Sequence, residues 1–354
     1  SLNSRFYWDA NENVLLYTTA SDIISAAADS NSYSVTKQTN DFGYPIVKAT
    51  SDSALIALDY VKQYSNITFK SYDDPARIVI TSKWDEIDSA TVSKSTQVRV
   101  KGGIKSPILK EVKKDDKITI LDSGDKWDKV ATEDGVIGYI KRKALSESKK
   151  TKLTNPDYEE ETFTHIKKDK DICLAWNQVT SQSANSKVPQ VISSTKGINV
   201  MSPTWFYLND NNGNLADIAS KDYVSYCHSQ GIEVWGLFSN LENTDVDAAY
   251  VLTHTSTRTT LINQIMSAAF NYELDGVNID FENITEAAYG DSYIEFIREL
   301  SIKCHNNGIS LSVDVTVPAS FNKFFNRSDM AKFADYIVIM GYDEHYKGSD
   351  AGSV

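Results

Sequence analysis

Residues 274–284 read LDGVNIDFENI, which places Asp275, Asp280 and Glu282 inside a run whose Leu274, Val277, Ile279, Phe281 and Ile284 have the pattern of a buried strand. Unpaired carboxylates in such a strand cost several kcal/mol unless they are solvated, hydrogen-bonded or protonated. The run is therefore expected to end in a wet cleft. Residues two apart share one face of a strand, so Asn278, Asp280 and Glu282 line up on one side and Val277, Ile279 and Phe281 on the other. Successive members lie ~6.6 Å apart along the strand. Close carboxylates at a cleft mouth perturb each other, and one of them is held protonated near neutrality. That is the requirement for general acid catalysis of glycoside cleavage. Asp275 has the opposite parity and is expected to brace the strand end.

A second polar cluster, Met340, Tyr342 and Asp343 in "IMGYDEH", closes another strand-like run. Trp176, Trp205, Phe206, Tyr207 and Trp235 fall near strand ends, where aromatic faces can stack on sugar rings, although aromatics at such positions also serve as core. His228, His254, His305 and His345 have no ligand spacing, and no metal or organic cofactor is expected. Cys173, Cys227 and Cys304 each sit in an apolar pattern outside any C-x-x-C and read as buried thiols.

The elements that must position these residues are strands alternating with helices from about Phe163 onward. Strands are expected at "DICLAWNQV", "INVMSPTWFYL", "IEVWGLFSN", "DGVNIDFE", "SLSVDVTV" and "DYIVIMGYDEH". Helices are expected at "DIASKDYVSYCHSQG", "RTTLINQIMSAAFNYEL" and "SYIEFIRELSIKCHNNG". Repeated units of this kind imply a parallel sheet, either doubly wound or a (β/α)8 barrel. No Gly-rich phosphate loop follows the first strand. Polar groups gather instead at the C-terminal strand ends, where barrels keep their sites.

Two segments precede this one. Residues 1–90 show strands flanking a turn at Asn11 and Asn13, a short helix near Leu55 to Tyr64, and a hairpin turning at Asp73, Asp74 and Pro75, a small α+β pattern. Residues 91–147 hold short alternating strands, "TQVRV", "ILKEV", "KITIL", "WDKVAT" and "GVIGYIKRKAL", separated by turn residues, as in a small barrel. A polar stretch, 148–162, lacks any apolar period and reads as a linker before residues 163–354. The 354 residues are too many for one ordinary core. Their net charge of −12 is uneven, with 15 Lys and Arg against 9 Asp and Glu between Ser93 and Lys150. That basic segment could be drawn to an anionic polymer or be a solvated face. No apolar run approaches the ~20 residues of a membrane span. The chain opens at Ser1 without an initiator Met and reads as processed or trimmed.

The stretch Asp275-Gly276-Val277-Asn278-Ile279-Asp280-Phe281-Glu282 resembles the D-G-x-D-x-D-x-E signature of family 18 glycoside hydrolases, and Met340, Tyr342 and Asp343 match that family's M-x-Y-D pattern. Both fall on the expected strands, the fourth and the sixth. The resemblance implies a (β/α)8 TIM-type barrel, here truncated after the sixth strand, since a full barrel takes ~250 residues. It implies that Glu282 protonates the glycosidic oxygen, that the substrate's own acetamido oxygen attacks, and that Asp280 and Tyr342 hold the acetamido group. Asp275, Asn278, Met340, Asp343, Trp176 and Trp205 are the expected substrate contacts. The family commonly has Asp where this chain has Asn278, so Asp280 is expected to ionise more readily here. Residues 91–147 resemble a bacterial SH3 domain, and 1–90 the copper amine oxidase N-terminal-like repeat. No His precedes His165, so no copper is expected. Together these resemblances imply a monomeric, secreted cell-wall or spore-envelope enzyme of a Gram-positive-type bacterium. Its partner would be peptidoglycan, or alternatively chitin, and not nucleic acid. A non-catalytic carbohydrate-binding protein is the third reading, disfavoured because Glu282 is retained.

Overall fold

The computed structural model describes residues 3–50, 53–342, 345 and 348–352. The chain forms two compact units, cut at other positions than the three segments above. One holds Leu58–Glu160, and the other holds Ser4–Ala57 together with the chain from Glu161 onward.

In the first unit a helix, Leu58–Gln63, precedes a hairpin of Thr68–Asp73 and Ala76–Thr81, as the sequence pattern predicts. A seven-stranded antiparallel sheet follows, and it contains all five strands expected between 91 and 147. Its core is aliphatic, with Val92, Val98, Val130 and Ile140 fully buried. The expected linker is not wholly irregular. Lys149–Lys152 pairs antiparallel with Glu86–Thr91, where Ser89 and Thr151 hydroxyls bond at 2.6 Å. Backbone pairing to an edge strand needs no apolar period, which is why the lysine run gave no strand signal.

The second unit is built on six parallel strands in sequence order: Leu174–Asn177, Val200–Leu208, Glu233–Ser239, Gly276–Asp280, Ser310–Thr316 and Tyr336–Met340. The three expected helices occupy Lys221–Ser229, Thr255–Tyr272 and Ala287–His305. On the helix side of strand four, Val277, Ile279 and Phe281 are fully buried, and Phe281 stacks on Phe296 at 5.5 Å and Tyr293 at 6.1 Å. Burial of such a ring stabilises by roughly 2–3 kcal/mol. The sheet curls. Trp176 on strand one hydrogen-bonds Asn278 on strand four across the interior, and its ring lies 6.3 Å from that of Tyr342 beyond strand six. A partial barrel of this kind keeps the inward side chains of non-adjacent strands within reach.

Residues 4–57 belong to this unit for a physical reason invisible in linear order. They form a five-stranded antiparallel sheet led by Phe6–Asp9 and Val14–Thr18, with Asn13 at φ 55° in the turn between them. That turn covers the open start of the helix Thr255–Tyr272. The Asp9 carboxylate accepts from Thr255 N at 2.7 Å and Thr255 Oγ1 at 2.6 Å, and Glu12 accepts from Ser256 N at 3.0 Å. Helix N-termini leave N–H groups unsatisfied, and these acids serve as caps supplied from 246 residues away. Thr18 Oγ1 donates to buried Glu295 at 2.8 Å, and Arg258 lies 5.0 Å over the ring of Tyr7.

Candidate active site

Strand four ends at Asp280, and Glu282 follows one residue beyond Phe281. The inward parity expected from the sequence is observed at Asn278, whose amide reaches only interior groups. Glu282 is held through its backbone by Asn240, just past strand three: Asn240 Nδ2 donates to Glu282 O at 3.0 Å, and Glu282 N donates to Asn240 Oδ1 at 2.9 Å. Asn240 Nδ2 also reaches the Tyr289 hydroxyl at 3.2 Å. Next to it, Ser239 Oγ donates to Glu242. This reciprocal clamp fixes the strand end from which the carboxyl projects, and Asn283 at φ 60° turns the chain away immediately afterwards.

Among the described residues the electrostatics are those of a carboxylate cluster without a cation. Burial pushes Asp280 up to about 6, aided by the charges of Glu282 and Glu242. Burial also holds Glu282 above its ordinary value. The carboxamide at 278 therefore does not leave Asp280 in the ordinary carboxylate range. Loss of solvation outweighs whatever repulsion the amide removes. A raised acid at the end of a strand can stay protonated near neutrality and donate its proton to a leaving group.

Asn278 is fully buried, and its amide is saturated by protein. Its Oδ1 accepts from Trp176 Nε1 at 3.0 Å and Ser202 Oγ at 2.9 Å, while Nδ2 donates to Ser312 Oγ at 3.0 Å and Asp314 Oδ1 at 2.8 Å. An amide with every position used has none for a ligand, so Asn278 acts as a strut and not as the expected substrate contact. Asp275 is likewise corrected. It precedes the first residue of strand four, at the end opposite Glu282, where its carboxylate accepts from Val234 N and His228 Nε2, both at 2.8 Å. It braces the N-terminal edge of the sheet. Asp335 repeats the device before strand six, accepting from Leu311 N at 2.8 Å and His305 Nε2 at 3.0 Å.

Trp205 is also corrected. Alternation from inward-facing Ser202 puts its ring on the helix side with Met201, and a register shift between Thr204 and Phe206 brings Phe206 to the same side. There Trp205 is fully buried, 4.8 Å from the ring of Tyr223, with its N–H donating to Asn185 at 2.8 Å. Trp176 remains in the interior, 38% exposed, edge-on to Tyr342, which is 46% exposed. Met340 ends strand six beside Thr316. Asp343 lies outside the described residues. Cys227 and Cys304 are buried as expected, but Cys173 is exposed, because it precedes the edge strand and has no helix over it.

Sequence reading passed over three residues. Asp314 lies at the centre of the interior network, and its signal was the alternation Ser310, Ser312, Asp314 against Leu311, Val313, Val315 in strand five. Asn240 and Glu242 follow strand three and carry no periodic signal.

The class these features define is given by comparison. Residues 243–352, which include both motifs, match the model of the glycosyl hydrolases family 18. Two curated proteins of one bacterium are similar to the chain. The chain is 25% identical over 159 residues to the uncharacterized glycosylase YvbX of Bacillus subtilis, covering 41% of this chain and 45% of that protein. It is 32% identical over 108 residues to YdhD of the same organism, which bears the provisional name of a sporulation-specific glycosylase, covering 29% and 26%. The chain thus spans less than half the length of these relatives. Among solved structures, the spore cortex-lytic enzyme SleL of Bacillus megaterium aligns over 51% of this chain and 43% of its own at 17% identity and a TM-score of 0.43. A chitinase from Chromobacterium violaceum aligns over 51% and 59% at 20% identity and a TM-score of 0.43. No helix among the described residues is long and apolar enough to cross a membrane.

Proposed function

We propose that the protein is a retaining glycosidase that cleaves β-linked N-acetylglucosaminyl bonds of peptidoglycan. The observation that carries this reading is the pairing of Asp280 and Glu282 at the interior end of strand four, both raised, with no cation beside them among the described residues. The match to family 18 over the same residues supports it.

In this mechanism Glu282 gives its proton to the glycosidic oxygen as that bond breaks. The acetamido oxygen of the sugar attacks the anomeric carbon and forms a cyclic oxazolinium. Asp280, as the anion, accepts the acetamido N–H and balances the positive charge. Tyr342 donates to the acetamido oxygen, and Trp176 offers an apolar edge beside it. Water then opens the ring, with Glu282 taking back a proton. Secretion to a Gram-positive-type wall or spore envelope, and an SH3-like role for residues 91–147 in holding the wall, are parts of the same proposal. The sporulation wording in the name of YdhD favours peptidoglycan over chitin.

Mass spectrometry of the fragments released from purified peptidoglycan and from chitin, by the wild type and by folded Glu282→Gln, tests the reading. New N-acetylglucosamine reducing ends from peptidoglycan that vanish in the variant are expected. Equal release by both proteins would remove Glu282 from the mechanism, and release from chitin alone would replace the substrate.

A further inference from the structure

Strands four and five carry two acids side by side. The register pairs Asn278 with Ser312 and Ile279 with Val313, and the next step along both strands brings Asp280 beside Asp314. Asp314 is 1% exposed. Its Oδ1 accepts from Asn278 Nδ2 at 2.8 Å, while its Oδ2 is buried without a hydrogen-bond partner, as is Asp280 Oδ1. No Lys, Arg or His among the described residues forms an ion pair with either acid. The groups that act on the pair are Glu282 just past strand four, Glu242 after strand three, the Tyr293 hydroxyl of the helix Ala287–His305, and Trp176 on strand one. None is a cation. Two adjacent carboxyls in such a place cannot both be ionised, and a proton between them satisfies both buried, unpartnered oxygens at once.

Resting on the glycosidase reading for its catalytic meaning, we propose that Asp314 and Asp280 share one proton at neutral pH. Asp314 is thereby a positioning residue that supplies the second carboxyl which Asn278 lacks. Burial, then the charges of Asp280 and Glu282, push Asp314 up to about 8 in spite of the bond from Asn278, above the value of about 6 for Asp280. Asp314, more deeply buried than Asp280 at the strand end, is the member that keeps the proton. When a substrate N–H approaches Asp280, the proton resides wholly on Asp314, Asp280 becomes the accepting anion, and the pair's total charge is unchanged. Asn278 holds Asp314 at the required angle through one N–H and is itself aimed by Trp176 and Ser202.

Infrared difference titration of the whole chain tests this without any substrate, because a protonated carboxyl absorbs apart from carboxylates. Glu299, raised to about 7 by burial, contributes to the protonated-carboxyl band as well, so the readout is the component that titrates above it. The wild type is expected to show that component, Asp314→Asn should remove it, and Asp280→Asn should move its titration to lower pH. Absence of the component in the wild type, or its persistence in Asp314→Asn, would overturn the proposal. If Asp314→Asn does not fold, the wild type and Asp280→Asn still decide. On peptidoglycan, Asp314→Asn should move the acid limb of kcat/KM up by about one pH unit, since Asp280 then ionises without the shared proton that stabilises its anion. A loss of kcat uniform across pH would mean that Asp314 only supports the fold. A chain inert on every glycan would count against the glycosidase reading, while the infrared result would still decide the proton pair.

Discussion

Replacing Asn278 with Asp changes one atom and removes two hydrogen-bond donations. The amide nitrogen that donates to Ser312 Oγ and Asp314 Oδ1 becomes an acceptor, which the Ser312 hydroxyl can meet by turning to donate, while Asp314 Oδ1 is left facing it without a proton between them. Each buried donation lost costs about 1–3 kcal/mol. The bonds from Trp176 and Ser202 survive, because a carboxylate oxygen accepts them as the amide oxygen does. The variant is therefore expected to lose roughly 1–3 kcal/mol at pH 8. The pH dependence has a definite sign. Asp280 at about 6 and Asp314 at about 8 are raised above their unfolded value, so the wild type already loses stability as pH rises from near 4 through those values. A third carboxyl in the same cluster would be raised too. The penalty on Asn278→Asp should then grow with pH, by at most ~1.4 kcal/mol per unit, and shrink at pH 5, where the new acid is protonated and can donate. Urea unfolding of both proteins at pH 5 and pH 8, followed by tryptophan fluorescence, measures this. A penalty equal at the two pH values, or larger at pH 5, would refute the account of the interior network.

Asn240→Ala removes both bonds to the Glu282 backbone and should lower kcat about tenfold, or ~1.4 kcal/mol, with KM within a factor of two; an unchanged kcat would show that the clamp is dispensable. Asp9→Ala uncovers the start of the helix Thr255–Tyr272 and should cost about 1–2 kcal/mol in denaturant unfolding, although position 9 is 246 residues from the helix it caps. Gly276→Ala would bring a Cβ within 2.6 Å of the Trp235 ring, and a loss of about 1–3 kcal/mol is expected in the same assay.

The elements were legible where one periodicity ran unbroken. The six expected strands and three expected helices of the second unit fall where alternation and helical spacing put them, and strand parity correctly turned Asn278 inward. Trp205 was placed by its nearness to a strand end, whereas its parity, odd against inward-facing Ser202, puts it on the helix side. Asp275 was read correctly as a brace on parity alone, whereas the motif resemblance made it a substrate contact. The strand at Lys149–Lys152 and the docking of residues 4–57 depend on partners remote in sequence. Local chemistry does not specify such pairings, and the segment boundaries shifted accordingly. Asp314 carried a readable signal, a lone acid on the inward parity of the neighbouring strand. It became meaningful only once the register set it beside Asp280.

The central claim is that Glu282 acts as the acid while the substrate's own acetamido group is the nucleophile, and the anomeric configuration of the first-formed product tests it most directly. Proton NMR during cleavage of a defined β-linked N-acetylglucosaminyl oligosaccharide should show the β-anomer appearing first and relaxing to the equilibrium mixture. First appearance of the α-anomer would mean direct attack by water and would contradict the mechanism assigned to Asp280 and Glu282.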